Sequence, residues 1–256
     1  MARLGAGPVE YRLEGHGEAT VVVLHGGHLR AGLAVGEAEA VFTALGYRVL
    51  APSRPGYGRT PLQTGTAPTP TGFADVTAEL CQHLGIDQVA AAVGISGGGP
   101  TAIAMAARHP GLVQRLILES AVGFLPWPNT SRPGRVVATV AFAAGIEQAT
   151  WGAVRALLRL APTIGLRVLL GGLSTKPAGQ VLAGLSAEQR ATLVALFSRM
   201  RSGRGFTNDL RDLRRRPEVT PEVAQPTLVI ASRQDAAVPF AHAQSLLAGI
   251  GGPNWS

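Results

Sequence analysis

The 256-residue chain has a single cysteine, Cys81, and a single lysine, Lys176. One cysteine excludes an intrachain disulfide. Charged residues are scarce, at 15% against 46% apolar, and that balance excludes global disorder. The opening MARLGAGPVEYRLEG lacks the apolar run of a signal peptide, so a cytoplasmic location is expected. A charge-free stretch, Val89 to Ala107, has 19 residues, enough by length to cross a bilayer. However, SGGGP interrupts it and the rest is mostly Ala and Gly. A strand, a turn and a helix are expected there instead of a membrane span.

With one lysine, the net charge of +7 rests on arginine. No nucleic-acid motif accompanies it, so solvated surface arginines are expected, with no nucleic-acid partner. The densest run, Arg211 to Arg216, falls near an expected helix end, where the dipole favours cations. Cys81 lies in the amphipathic segment ELCQHL and reads as a buried structural thiol. Gly (33) and Pro (18) are abundant, which implies many tight connections.

Five short apolar runs read as strands: 20–24, 47–51, 89–93, 115–119 and 227–231. Residues 11–14 read as an antiparallel edge strand. Helical patterns at 35–45, 72–84, 100–109 and 239–247 alternate with them. Alternation of this kind implies an α/β fold with a mostly parallel sheet and flanking helices. Region 124–218 breaks the rhythm. It carries helical patterns at 133–145, 147–160, 163–173, 186–202 and 206–215, and Ser186-Ala-Glu-Gln189 is a capping box. It reads as a helical cap inserted into a core made of 1–123 and 219–256.

Three elements carry chemistry. Gly94-Ile-Ser96-Gly-Gly98 is a G-x-S-x-G motif between an apolar strand and a helix. That context holds a serine above the carboxyl edge of a sheet, and the glycines let strand and helix pass closely. His25-Gly-Gly-His28 ends the first parallel strand. A glycine-rich backbone there can aim an N–H at a substrate carbonyl and, with the Gly97 N–H, form a two-donor oxyanion hole. His25 reads as a packing and hydrogen-bonding residue, and His28 as a pocket-lining one. Asp235 follows the last apolar strand and can orient an imidazole; an Asp there can equally cap a turn or helix.

The chain resembles the α/β-hydrolase superfamily, in its cap-bearing group. The resemblance is carried by LHGG (24–27), SRPGYGRT (53–60), GISGGG (94–99), RHP (108–110) and IASRQDAAVP (230–239), in that order. It implies an α/β-hydrolase fold with Ser96 as nucleophile, Asp235 as triad acid, and Gly27 and Gly97 as oxyanion residues. It implies neither metal nor organic cofactor. The expected reaction is acyl transfer to water on a small or medium ester, the partner being a small-molecule acyl substrate. Trp127 is a pocket candidate, with Trp151, Phe142 and Phe197 as further apolar residues of the cap. Perhydrolase, thioesterase, aminopeptidase and acyltransferase activities are the alternatives. Relatives that open epoxides or remove halides carry Asp where this chain has Ser96.

The resemblance also places a histidine after one more strand, and no histidine follows His242. His242 lies in the last helical pattern and reads as a surface or packing residue; His16, His83 and His109 are misplaced. The final strand and its histidine are therefore expected to be missing through truncation. The other reading is a non-catalytic binding protein with a pocket and no base.

Overall fold

The computed structural model describes residues 1–33, 36–62, 68–128, 146–214 and 222–250. The expected helix at 133–145, with Phe142, lies outside them.

Thr20–Leu24 (β4) is β-branched at four of its five positions and buried throughout. That composition suits a strand covered on both faces. Arg48–Pro52 (β5) and Val89–Ile95 (β6) flank it in parallel. Tyr11–Glu14 (β3) pairs antiparallel with β5, as its alternating pattern suggests. Leu116–Glu119 (β7) and Thr227–Ile230 (β8) extend the sheet in parallel on the other side. The six-stranded order is β3-β5-β4-β6-β7-β8. Ala2–Leu4 (β1) and Gly7–Val9 (β2) form a separate hairpin. Three-residue strands carry too short a pattern to be read from sequence.

The two faces of the sheet have separate cores. Val22, Leu24, Leu50 and Ala92 point to one face. There they meet Phe73 and Leu80 of Pro70–His83 (α2) and Ile103 and Met105 of Gly99–Arg108 (α3). Cys81 lies in this core, and burial pushes its thiol up to about 12. Leu246 of the last helix, Ala241–Gly249, reaches the same core. Val21, Val23, Val49, Ala91, Val93 and Ile95 point to the other face, packed by Phe42 of Gly36–Ala44 (α1).

Cover on that second face thins toward β8. Register sets Leu228 beside Ile117 and Ile117 beside Val93. Val93 is 2% exposed, whereas Leu228 and Ile230 are 50% and 48% exposed. Among the described residues no strand pairs with the outer edge of β8.

Between β7 and β8 the chain builds helices Glu147–Leu160 (α4), Pro162–Leu173 (α5), Ala178–Ala183 (α6), Ala187–Arg199 (α7) and Gly205–Asp212 (α8). The last helix, Ala241–Gly249, is α9. Helices α4 to α7 share a small core of Leu158, Leu166, Leu170, Leu182 and Phe197. Phe197 therefore packs inside the insertion. The Ser186 capping box is formed: Gln189 N donates to Ser186 Oγ (3.1 Å), and Ser186 N donates to Gln189 Oε1 (2.9 Å).

Candidate active site

Ser96 sits where β6 turns into α3. Ile95 is extended and Gly98 is right-handed helical, but Ser96 has φ +51°. L-residues rarely adopt this region, and a residue held there stores strain that its surroundings must offset. The surroundings are tight. A Cβ on Gly94 would lie 2.7 Å from Ala102 Cβ, and one on Gly98 would lie 2.1 Å from Leu24 O. Neither approach admits a side chain, so the glycines are what let strand and helix converge. On the β7 side, Val122 N donates to Ser96 O (2.9 Å) and pins the turn. The N-terminus of α3, with Pro100 in its first turn, follows directly. Its free N–H groups and dipole favour negative charge at this position.

The His25–His28 loop lies against Ser96. A Cβ on Gly26 would be 3.0 Å from Ser96 Cβ and 3.6 Å from its Oγ. Gly27 faces the Phe206 ring, at 3.1 Å for an added Cβ. His28 stacks on Phe206 (4.0 Å between ring centroids) and meets Trp151 edge-on. Trp127 also approaches Phe206 (6.3 Å). His28, Trp127 and Phe206 thus gather around Gly27. Phe206 escapes sequence reading because a lone Phe in a helical pattern looks like core. Trp151 is buried, and its Nε1 donates to Ser202 Oγ (2.8 Å). It packs at the seam between the insertion and the His28 loop, whereas Phe197 packs inside the insertion.

Neither histidine of this loop is poised as a base. His25 is buried: its Nε2 accepts from Arg54 N (3.0 Å) and its Nδ1 bonds Gly26 O (2.7 Å). Burial, and then the charge of Arg54, push His25 down to about 3. The same two causes push His28 down to about 3. A general base works best with a pKa near the operating pH.

A buried ion pair closes the site. Arg54 follows β5, and its Nη1 and Nη2 donate to Asp209 Oδ1 (2.8 Å) and Oδ2 (2.7 Å) on α8. Tyr57 Oη donates to Asp209 Oδ2 (2.6 Å), and Arg54 Nε donates to His25 O (2.8 Å). Burial opposes the Arg54 charge, yet Asp209 and Tyr57 outweigh it and raise the guanidinium pKa. Burial, with Asp209, raises Tyr57 well above its ordinary value. The pair lies directly over the turn at Ser96, the elbow between β6 and α3: a Cβ on Gly97 would be 3.4 Å from Arg54 Nη2 and 3.5 Å from Asp209 Oδ2. Sequence reading misses this network. Arg54 sits in a turn-rich loop, and Asp209 belongs to a charged run that looks solvated.

Asp235 lies in the loop after β8. Its Oδ1 accepts from Ala237 N (2.9 Å) and Val238 N (2.8 Å), so it does cap a turn. The insertion holds this loop: Ser174 bridges Asp235, and Thr175 N donates to Gln234 O (2.8 Å). Register aligns Ile95, Glu119 and Ile230, so Ser96 and the loop of Asp235 leave the same edge of the sheet. Two strand spacings separate those strand ends, about 10 Å.

The remaining histidines are engaged elsewhere or exposed. His242 is buried on α9, where its Nδ1 accepts from Gly123 N (3.1 Å); it is a packing residue, not a surface one. His109 ends α3 and bonds Asp75 (2.9 Å). His16 and His83 are exposed. Among the described residues no group of His, Cys, Asp and Glu could hold a metal ion, and no helix is long and apolar enough to cross a membrane.

Comparison with known proteins agrees with this architecture. A family model described as "alpha/beta hydrolase fold" matches residues 19–137. The uncharacterized hydrolase YcgS of Bacillus subtilis (strain 168) is 30% identical over 244 residues, covering 93% of this chain and 81% of that protein. An alpha/beta hydrolase fold protein from Nakamurella multipartita superposes with a TM-score of 0.77 at 27% identity, over 98% of this chain and 86% of that one. The enol-lactonase from Burkholderia xenovorans LB400 shares the fold, with a TM-score of 0.68 at 21% identity over 98% of this chain and 88% of that one. The strained serine between β6 and α3, the sheet order around it and this relatedness agree: the chain belongs to the α/β-hydrolase family.

Proposed function

We propose that the protein is a serine hydrolase that transfers an acyl group to water. Ser96 attacks the substrate carbonyl, and the oxyanion rests on the Gly27 and Gly97 N–H groups. The acyl-enzyme is then hydrolysed. In this reading Asp235 orients a catalytic imidazole that takes the Ser96 proton, a group that none of the six histidines of this sequence supplies. Asp235 Oδ1 is occupied by two amides, and a carboxylate keeps a second oxygen for such a contact. The insertion 124–218 caps the site, with His28, Trp127 and Phe206 lining an apolar pocket for a small or medium ester. The observation that carries this reading is the left-handed Ser96 in a turn whose glycines admit no side chain.

One observation favours a second reading, a ligand-binding protein on the same fold. All six histidines of the chain fall within the described residues, and none is seen bonded to Ser96 or Asp235. Without its base a triad keeps only the oxyanion hole and binding, and loses several orders of magnitude in rate.

A fluorophosphonate probe and a panel of p-nitrophenyl esters distinguish the two. The hydrolase reading expects labelling at Ser96, and ester turnover that Ser96→Ala removes. Equal labelling and turnover by Ser96→Ala would reject Ser96 as nucleophile. Ligand binding without labelling would favour the binding protein.

A further inference from the structure

Four arginines converge at a place the charge pattern of the sequence does not mark. A groove of about 660 Å³ runs along the seam between the core loops and the helical insertion. Arg30 and Arg59 line it from the core, and Arg155 and Arg201 line it from the insertion. Glu10 and Glu147 are the acids in its wall, so the formal balance is four positive against two negative.

Both acids are already committed. Glu10 Oε1 pairs with Arg59 Nε (3.0 Å), and its Oε2 accepts from Ser53 Oγ (2.7 Å) and Arg59 N (3.0 Å). Glu147 Oε1 accepts from Ser202 N (2.7 Å) and Gly203 N (3.3 Å). Arg30 and Arg201 donate to neutral carbonyls, at Arg199 (3.3 Å) and Met200 (2.9 Å). Arg155 Nη1 is buried with no hydrogen-bond partner among the described residues. A buried guanidinium N–H without an acceptor is costly, and such an atom calls for a reason.

We propose that this groove binds a small polyanion bearing carboxylate or phosphate groups, which bridges the core arginines to those of the insertion. A guanidinium fork matches either group bidentately. The volume is that of a metabolite-sized site. Single-stranded nucleic acid is disfavoured, because the lining residues include no aromatic ring on which a base could stack. Ser96 is not in the wall. Between the groove and Gly27 stands a buried layer in which Glu147 holds Ser202 N, Ser202 Oγ bonds His28 (2.7 Å), and His28 stacks on Phe206. The site is thus separate from the serine, and its existence does not depend on the hydrolase reading. A ligand that ties the two sides together stabilises the folded chain by linkage.

The test is calorimetric titration with citrate and, separately, pyrophosphate, at an ionic strength held constant with NaCl. Thermal unfolding is followed in parallel. The expected result is saturable binding of at least one probe, with a raised unfolding temperature. The probe that binds more tightly distinguishes carboxylate from phosphate recognition. Arg155→Met with Arg201→Met should weaken binding at least tenfold, and Arg233→Met, at a residue stacked on Phe240 outside the groove, should leave it unchanged. Because Arg201 is exposed, Arg201→Met alone keeps the test valid if the double variant fails to fold; it should weaken binding several-fold. No saturable binding of either probe, or undiminished binding by a folded Arg201→Met variant, overturns the proposal.

Discussion

Two arginine–aspartate pairs in this molecule have nearly the same geometry. Arg54 grips Asp209 at 2.8 and 2.7 Å, and Arg108 grips Asp75 at 2.8 and 2.8 Å. Their solvation differs. The side chains of the first pair are 5% and 10% exposed, and those of the second 50% and 40%. The first joins the insertion to the core above Ser96, while the second joins α2 to the end of α3 on the surface. In the buried pair each charge has lost its water, so each partner depends on the other. In the exposed pair water and salt stand in for a lost partner. Hydrogen-bond length therefore says little about worth; burial decides it.

The strongest way to break this comparison is to remove one buried partner. Asp209→Ala leaves Arg54 buried and uncompensated, and should lower stability by about 3–5 kcal/mol. Urea denaturation measures it, and a loss under about 1 kcal/mol would place the pair in the exposed class.

A pH series probes the same region with a graded effect. His25 and His28 are neutral in the fold, pushed from 6.5 to about 3 by burial and by Arg54. Depressed values mean that their contribution is whole above pH 6.5 and is lost as pH falls toward 3. Each histidine adds a slope of up to about 1.4 kcal/mol per pH unit. Denaturation between pH 7 and pH 5 probes these two groups ahead of the carboxylates. A flat profile there would contradict their neutral state.

The smallest effect belongs to the surface. Asp75→Asn should be barely distinguishable from the parent in urea, and molar salt should erase any remaining difference, because it shortens screening to about 3 Å. An Asp75→Asn loss as large as that of Asp209→Ala would end the comparison.

The legible part of the molecule is the part with local pattern. β-Branched runs and helical periodicity place β4, β6, α2 and α3 within a residue or two. Glycine spacing around Ser96 marks the elbow because close approach of a strand and a helix forbids Cβ atoms in the chain itself. What lies across the sequence is not legible. Arg54 and Asp209 are 155 residues apart, and nothing local distinguishes Asp209 from its solvated neighbours. The burial of His242, the ring of Phe206 against Gly27 and the four-arginine groove have the same cause.

The sequence by itself determined the α/β alternation, the helical insertion between β7 and β8, and the serine at a strand-to-helix turn. Each of these follows from residue type and spacing within one segment. Only the tertiary structure decided which charges lose their water. It committed His25 and His242 to packing and left Leu228 and Ile230 uncovered beside a buried Val93. Burial is set by what packs from elsewhere in the chain, and that is absent from any local pattern.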